Sequence, residues 1–272
     1  MNANFATTQT VIALHCSGAS GRQWQRLGER LFPYSRLITP DLIGYGSNSP
    51  ADPDIKISLS DEAAAAISMI DRSVAPVHLV GHSYGGAVAL RAALDRPNQI
   101  ASLTLYEPSA FRLLRDIGSA GAAAHSDITD LAAKTRAKVN AGRAIGAMRI
   151  FYDYWQGAGG WEKLSPEARV TLATRATKVP LDFDALLGDS MQLRHLSHLK
   201  IPTLVLVGQH APQPSRLVAE RIARIIPKGR LIEIADAGHM GPITHRDMVA
   251  GIMSEHILRT ISGADAFLPL AA

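Results

Sequence analysis

The chain has 272 residues, of which 47% are hydrophobic and 19% charged, with a formal charge of +4 at pH 7 and a single cysteine. That balance is globular and suits one large core or a core carrying an insertion, since a disordered chain is poorer in apolar residues and richer in net charge. The lone Cys16 excludes an internal disulfide, and lysines and arginines that are scattered rather than clustered among stacking aromatics exclude a nucleic-acid footprint.

From the N-terminus, MNANFATTQTVIALH lacks the charged region and long apolar stretch of a signal peptide, and no later segment approaches 18 uninterrupted apolar residues. The expectation is a cytoplasmic protein without membrane association. VIALH (11–15) is the first predicted strand, followed by a helix over 23–31 and a second strand, RLITPD (36–41). A helix over 60–72 follows, with Ser60 as its N-cap and Asp61 and Glu62 in its first turn. Then come VHLVG (77–81), a helix over 86–95 and LTLYE (103–107). Between Pro108 and Leu199 the alternation stops: DITDLAAKTRAKVN and SPEARVTLATRA are helical patterns, and no strand stands between them. TLVLVG (203–208) and LIEIA (231–235) resume it, and ADAFLPLAA ends the chain as a frayed tail or packing arm. Strands apolar on both faces alternating with helices mean an α/β fold: a mainly parallel open sheet with flanking helices. Residues 1–107 and 200–272 form its core, and 108–199 form an inserted helical cap over the carboxyl edge, where open α/β sheets bind ligands.

The chemistry concentrates at Gly81-His82-Ser83-Tyr84-Gly85, a G-x-S-x-G set between a strand and a helix. A serine there must occupy a tight, strained turn, which small neighbours permit, and the turn holds its hydroxyl at a helix N-terminus. Such a hydroxyl is a weak nucleophile unless a base removes its proton. Of ten histidines, His239 follows the last predicted strand in a glycine-flanked loop, AGHMGP, at the correct edge. His195, His198, His245 and His256 read as surface residues.

On these motifs the chain resembles the α/β-hydrolase superfamily over nearly its whole length. HCSGAS (15–20) is similar to the H-G-x loop that supplies oxyanion-hole backbone, DLIGYG (41–46) to the D-x-x-G-x-G loop, and AGHMGP to the histidine loop. The resemblance implies Ser83 as nucleophile, His239 as base, and an oxyanion hole from the N–H of Tyr84 and of Ser17 or Cys16. It also implies no cofactor and no metal. His15 would close the oxyanion loop through a hydrogen bond. The N-terminal hairpin usual in the family looks truncated. The acid departs from the family pattern: Ala211 stands where an Asp is usual, so Glu107, at the end of the strand after the nucleophile helix, takes the role, with Asp236 as fallback. The cap aromatics Phe151, Tyr152, Tyr154, Trp155 and Trp161 either line a pocket or pack the cap. The implied activity is hydrolysis of an ester-like acyl small molecule. The rivals are carbon–carbon bond hydrolysis of diketones and ligand sensing without turnover. Haloalkane dehalogenase and epoxide hydrolase chemistry is excluded, because both use an Asp nucleophile.

Overall fold

A computed structural model describes residues 9–48 and 55–264. The expected truncated hairpin, and the tail from Asp265 on, lie outside the described residues. The apolar runs become six strands: β1 (Gln9–Leu14), β2 (Ser35–Ile38), β3 (Val77–His82), β4 (Ile100–Tyr106), β5 (Thr203–Gly208) and β6 (Gly229–Ile234). They lie in the order β2-β1-β3-β4-β5-β6, and every neighbouring pair is parallel, so the sheet is wholly rather than mainly parallel.

The helices are α1 (Gln25–Leu31), α2 (Leu59–Asp71), α3 (Tyr84–Asp95), α4 (Gly118–Asn140), α5 (Ala144–Gln156), α6 (Pro166–Ala173), α7 (Lys178–Gly188), α8 (Leu193–Leu196), α9 (Gln213–Ile225), α10 (Gly241–Thr244) and α11 (Arg246–Ile261). None is long and apolar enough to cross a membrane. The period of two along each strand splits the core between the two faces of the sheet. On β1, Val11 and Ala13 join Leu27 and Leu31 of α1 and Val249, Met253 and Ile257 of α11. Ile12 and Leu14 join α2, α3 and α9 on the other side. Outermost β6 departs from the expected two-sided burial, with Leu231 and Glu233 exposed at the sheet margin.

Two local expectations are corrected. The N-cap of α2 is Ser58, not Ser60: its hydroxyl accepts from the Asp61 N–H at 3.1 Å while the Asp61 carboxylate accepts from the Ser58 N–H at 2.8 Å. That reciprocal box satisfies two otherwise orphaned donors, which Ser60 has no acidic partner to do. His256 is not a surface residue; it is buried on the inner face of α11.

Between β4 and β5 the described chain is helical, from a 3-10 turn at Phe111–Asp116 through α8. Its apolar side chains, among them Phe111, Ile128, Met148, Trp155 and Phe183, merge into the same cluster as α2, α3 and α9. Chain order and sheet order reverse at β1, since β2 lies on one side of it and β3 on the other. The carboxyl ends of β1 and β3 therefore flank a crevice, the place where such sheets accept ligands.

Candidate active site

Ser83 is the hinge between β3 and α3, with φ 54° and ψ −118°. Side chains with a Cβ avoid positive φ, so the turn persists only because its surroundings force it. Both flanking glycines are sterically required. A Cβ on Gly81 would lie 2.5 Å from the Gly85 carbonyl oxygen, and one on Gly85 would strike the Leu14 and His15 carbonyls. The backbone carbonyl of Ser83 accepts from the N–H of Ser109 at 2.9 Å, tying the turn to the segment after β4.

The structure brings three of the expected residues into one line. Ser83 Oγ lies 2.8 Å from His239 Nε2, and His239 Nδ1 lies 2.7 Å from Glu107 Oε2. With Nδ1–H donating to the carboxylate, Nε2 is left as the acceptor of the serine proton. All three residues are buried. Glu107 is held from the side where the usual acid would stand: its Oε1 accepts the Gly208 N–H at 2.9 Å, at the end of β5. Its φ of 39° makes it another of the three non-glycine residues with positive φ among those described. The third is Asp236, which is exposed and makes no bond to His239, so the fallback acid is out of place.

The histidine loop is fixed by its own neighbours. Tyr106 Oη donates to the Gly238 carbonyl at 2.8 Å and His82 Nε2 to the His239 carbonyl at 2.8 Å. Burial, reinforced by the adjacent His239, holds His82 well below the usual histidine range, so it stays a neutral donor. Over the free face of His239 the indole of Trp155, from α5, stacks with centroids 4.3 Å apart and planes 28° from parallel.

Of the expected oxyanion donors, the N–H groups of Ser17 and Tyr84 have no hydrogen-bond partner among the described residues, whereas the Cys16 N–H points to Gln23 Oε1 at 3.3 Å. Cys16 is therefore occupied elsewhere, and burial pushes its thiol up to about 12, which leaves it inert as a nucleophile. His15 ties the oxyanion loop down: its Nδ1 donates to the Cys16 carbonyl at 2.8 Å and its Nε2 accepts the Leu42 N–H at 3.0 Å. Burial lowers its pKa, consistent with that neutral tautomer.

A small cavity of about 10 Å³ adjoins Ser83, with Ser17, Tyr84, Ser109 and Asp182 among its polar walls and Phe111, Phe151, Trp155, Val179, Phe183 and Leu186 as apolar ones. Phe151 and Trp155 thus line the space, while Tyr152 packs edge-on against Trp161 and Tyr154 bonds Asp127. Two features escaped the sequence reading. Ser109 Oγ lies 3.1 Å from Ser83 Oγ, a proximity set by the turn after β4; its only sequence signal is a second polar residue just past Glu107. The second is a buried group of Glu62, Lys178 and Asp182 beside Tyr45 and Tyr84. The signal for it was a Lys and an Asp four apart in the otherwise apolar KVPLDF. Among the described residues no group of three or more His, Cys, Asp or Glu side chains is arranged to hold a metal ion.

Comparison with known proteins gives the family of the chain. A family model described as the alpha/beta hydrolase family matches residues 11–252. The lipase LipV of Mycobacterium tuberculosis is 37% identical over 100 residues, 36% of this chain and 37% of that protein. Lipase 3 of a Moraxella species is 24% identical over 242 residues, 86% of this chain and 72% of that protein. The matches cover only 33–38% of the length of the first curated relatives. In structure, a hydrolase from Oleispira antarctica superposes with a TM-score of 0.75 over 93% of this chain and 92% of that one, at 18% identity, a likeness of fold. With the family match spanning all but the ends, this chain belongs to the alpha/beta hydrolase family.

Proposed function

We propose that this protein is a serine hydrolase cleaving an ester-like acyl group of a small molecule, with Ser83 as nucleophile, His239 as general base and Glu107 as the acid that orients it. The observation that carries the reading is the continuous line Ser83–His239–Glu107, with contacts of 2.8 and 2.7 Å and no other acid bonded to His239 among the described residues. Ser83 Oγ attacks the substrate carbonyl as His239 Nε2 removes its proton, and Glu107 stabilises the resulting imidazolium. The tetrahedral oxyanion is received by the N–H groups of Ser17 and Tyr84, the latter opening α3, whose dipole favours negative charge there. Collapse expels the leaving oxygen with the proton from His239. Water, deprotonated by the same histidine, then cleaves acyl-Ser83 to a carboxylic acid and regenerates the serine. Residues 108–199 act as the cap on a core of 1–107 and 200–272, and their apolar side chains form the acyl pocket and keep water from the reacting atoms.

A fluorophosphonate probe should label Ser83, and a panel of chromogenic esters should be turned over. Ser83→Ala should lose on the order of 10⁶ in kcat. Absence of both labelling and ester cleavage would reject the reading in favour of ligand sensing on the same fold. Turnover confined to a diketone would move it to carbon–carbon bond hydrolysis.

A further inference from the structure

The two residues proposed to offer backbone N–H groups to the oxyanion both send their side chains into one buried group. Ser17 Oγ donates to Asp182 Oδ2 at 2.5 Å, and Tyr84 Oη donates to Glu62 Oε1 at 3.0 Å. Lys178 joins the two carboxylates, donating to Glu62 Oε1 at 2.8 Å and to Asp182 Oδ1. Tyr45 Oη donates to Asp182 Oδ2, and the Ile43 N–H donates to Glu62 Oε2 at 3.1 Å. The Lys178 ammonium also stands 4.9 Å from the centroid of Tyr84 and 5.2 Å from that of Tyr45. Six hydrogen bonds therefore end on four carboxylate oxygens, contributed by five separate pieces of chain: the loop after β1, the loop after β2, α2, α3 and α7.

Stability alone does not explain such a group. Replacing a buried ion pair by well-packed apolar residues of similar volume is often neutral or stabilising, because desolvation offsets the attraction. What the charged version supplies is direction, since each donor has one place to point. An oxyanion hole works only when its donors are fixed in advance at about 2.7–3.1 Å from where the charge develops. Among the described residues nothing bonds the N–H of Ser17 or Tyr84, and their side-chain bonds to Asp182 and Glu62 add to the backbone ties that His15 and the Ser83 turn supply.

Resting on the serine hydrolase reading, we propose that Glu62, Lys178 and Asp182 are positioning residues for the oxyanion hole, clamping Ser17 and Tyr84 so that the hole is complete only when α7 is docked on the core. Lys178 and Asp182 come from α7, in the cap, whereas Ser17, Tyr84 and Glu62 belong to the core. The cap is thus part of the machinery for transition-state binding as well as the wall of the pocket.

The test uses the whole protein and three variants: Ser17→Ala and Tyr84→Phe, which each delete one hydroxyl, and Asp182→Asn, which keeps the shape but loses the charge. Active sites are counted by fluorophosphonate titration, and kcat, KM and the Ki of an aliphatic trifluoromethyl ketone are measured per active site. The ketone adds Ser83 to form an anion in the hole, so its affinity reports the hole directly. The expected result is a 10- to 100-fold fall in kcat with KM within threefold, and a matching loss of ketone affinity, in folded protein. Losing a donor outright costs about 10²–10³, so a displaced one costs less. If Asp182→Asn does not fold, the two hydroxyl deletions decide. Unchanged kcat in the folded variants, or a kcat loss with no change in ketone affinity, overturns the clamp and leaves the hydrolase standing. Wild-type protein that neither labels at Ser83 nor cleaves esters overturns the hydrolase reading, and the clamp with it.

Discussion

At Glu107 a single missing carboxylate elsewhere supports the proposed assignment. Ala211 leaves the usual acid position empty, and the Gly208 N–H, at the start of that same loop, binds the carboxylate that reaches across from β4 instead. Glu107→Gln keeps the volume and can keep the Gly208 bond, but its amide favours the wrong imidazole tautomer. A loss of about 10⁴ in kcat with intact folding is expected, measured on a chromogenic ester. A near-silent substitution would show that His239 needs no acid here. The contact of Glu107 with His239 was legible because the sequence shows both the vacancy and the alternative strand end. Ser109 was not, since its contact with Ser83 depends on a turn geometry that no local pattern encodes. Ser83 itself bears strain: a non-glycine residue at positive φ costs on the order of 1–3 kcal/mol. Both Ser83→Gly and Ser83→Ala remove the hydroxyl, yet only glycine relieves the backbone. Urea unfolding should therefore find Ser83→Gly more stable than Ser83→Ala by about 1 kcal/mol, and equal stabilities would mean that the turn is not strained.

The elements were legible in proportion to how locally they are determined. Strand runs bounded by turn residues fell within a few residues of their observed ends, and the long helical stretch after Pro108 contained no strand. The start of α2 was misread by two residues because Ser58 and Ser60 are both capping types, and only the reciprocal bond with Asp61 selects between them. Helix α7 was hardest: its four-residue Lys–Asp spacing resembles a solvated surface pair, and only tertiary contacts place it among carboxylates and tyrosines. Removing Lys178 alone leaves two carboxylates buried without their cation. Lys178→Met should lower stability by about 3–5 kcal/mol, read as a reduced urea midpoint. A midpoint like that of the wild type would mean that water reaches the group.

For the whole molecule the parallel open sheet and the edge where Ser83, Glu107 and His239 meet were legible, since a strand–helix alternation has few ways to wind. The histidines inside the core were not, because burial of a polar ring is a property of the assembled layers. His78, on β3, bonds Ser102 Oγ at 2.7 Å, and His256 lies buried on α11. Burial lowers each from 6.5 to about 4, with the neighbouring His78 adding to the effect on His256. Both are neutral when folded and take up a proton on unfolding at any pH between those values. The unfolded chain then binds more protons, so stability is full above about 6.5 and falls as pH drops toward 4. The loss is on the order of 3 kcal/mol per histidine. Urea unfolding between pH 7 and 4 should show this slope, and His78→Gln should shrink it by about one proton. A slope that His78→Gln leaves unchanged would place the acid sensitivity elsewhere.

The stacking of Trp155 on His239 gives the site an optical readout of its own. An excited indole transfers an electron readily to an imidazolium and poorly to a neutral imidazole, and only at van der Waals range. Of the three tryptophans in the chain, Trp155 alone lies against this ring. Its emission should dim whenever the imidazole takes up a proton. The dimming should vanish in Trp155→Phe and in His239→Ala, so the charge on the ring could be followed in solution without substrate, label or turnover.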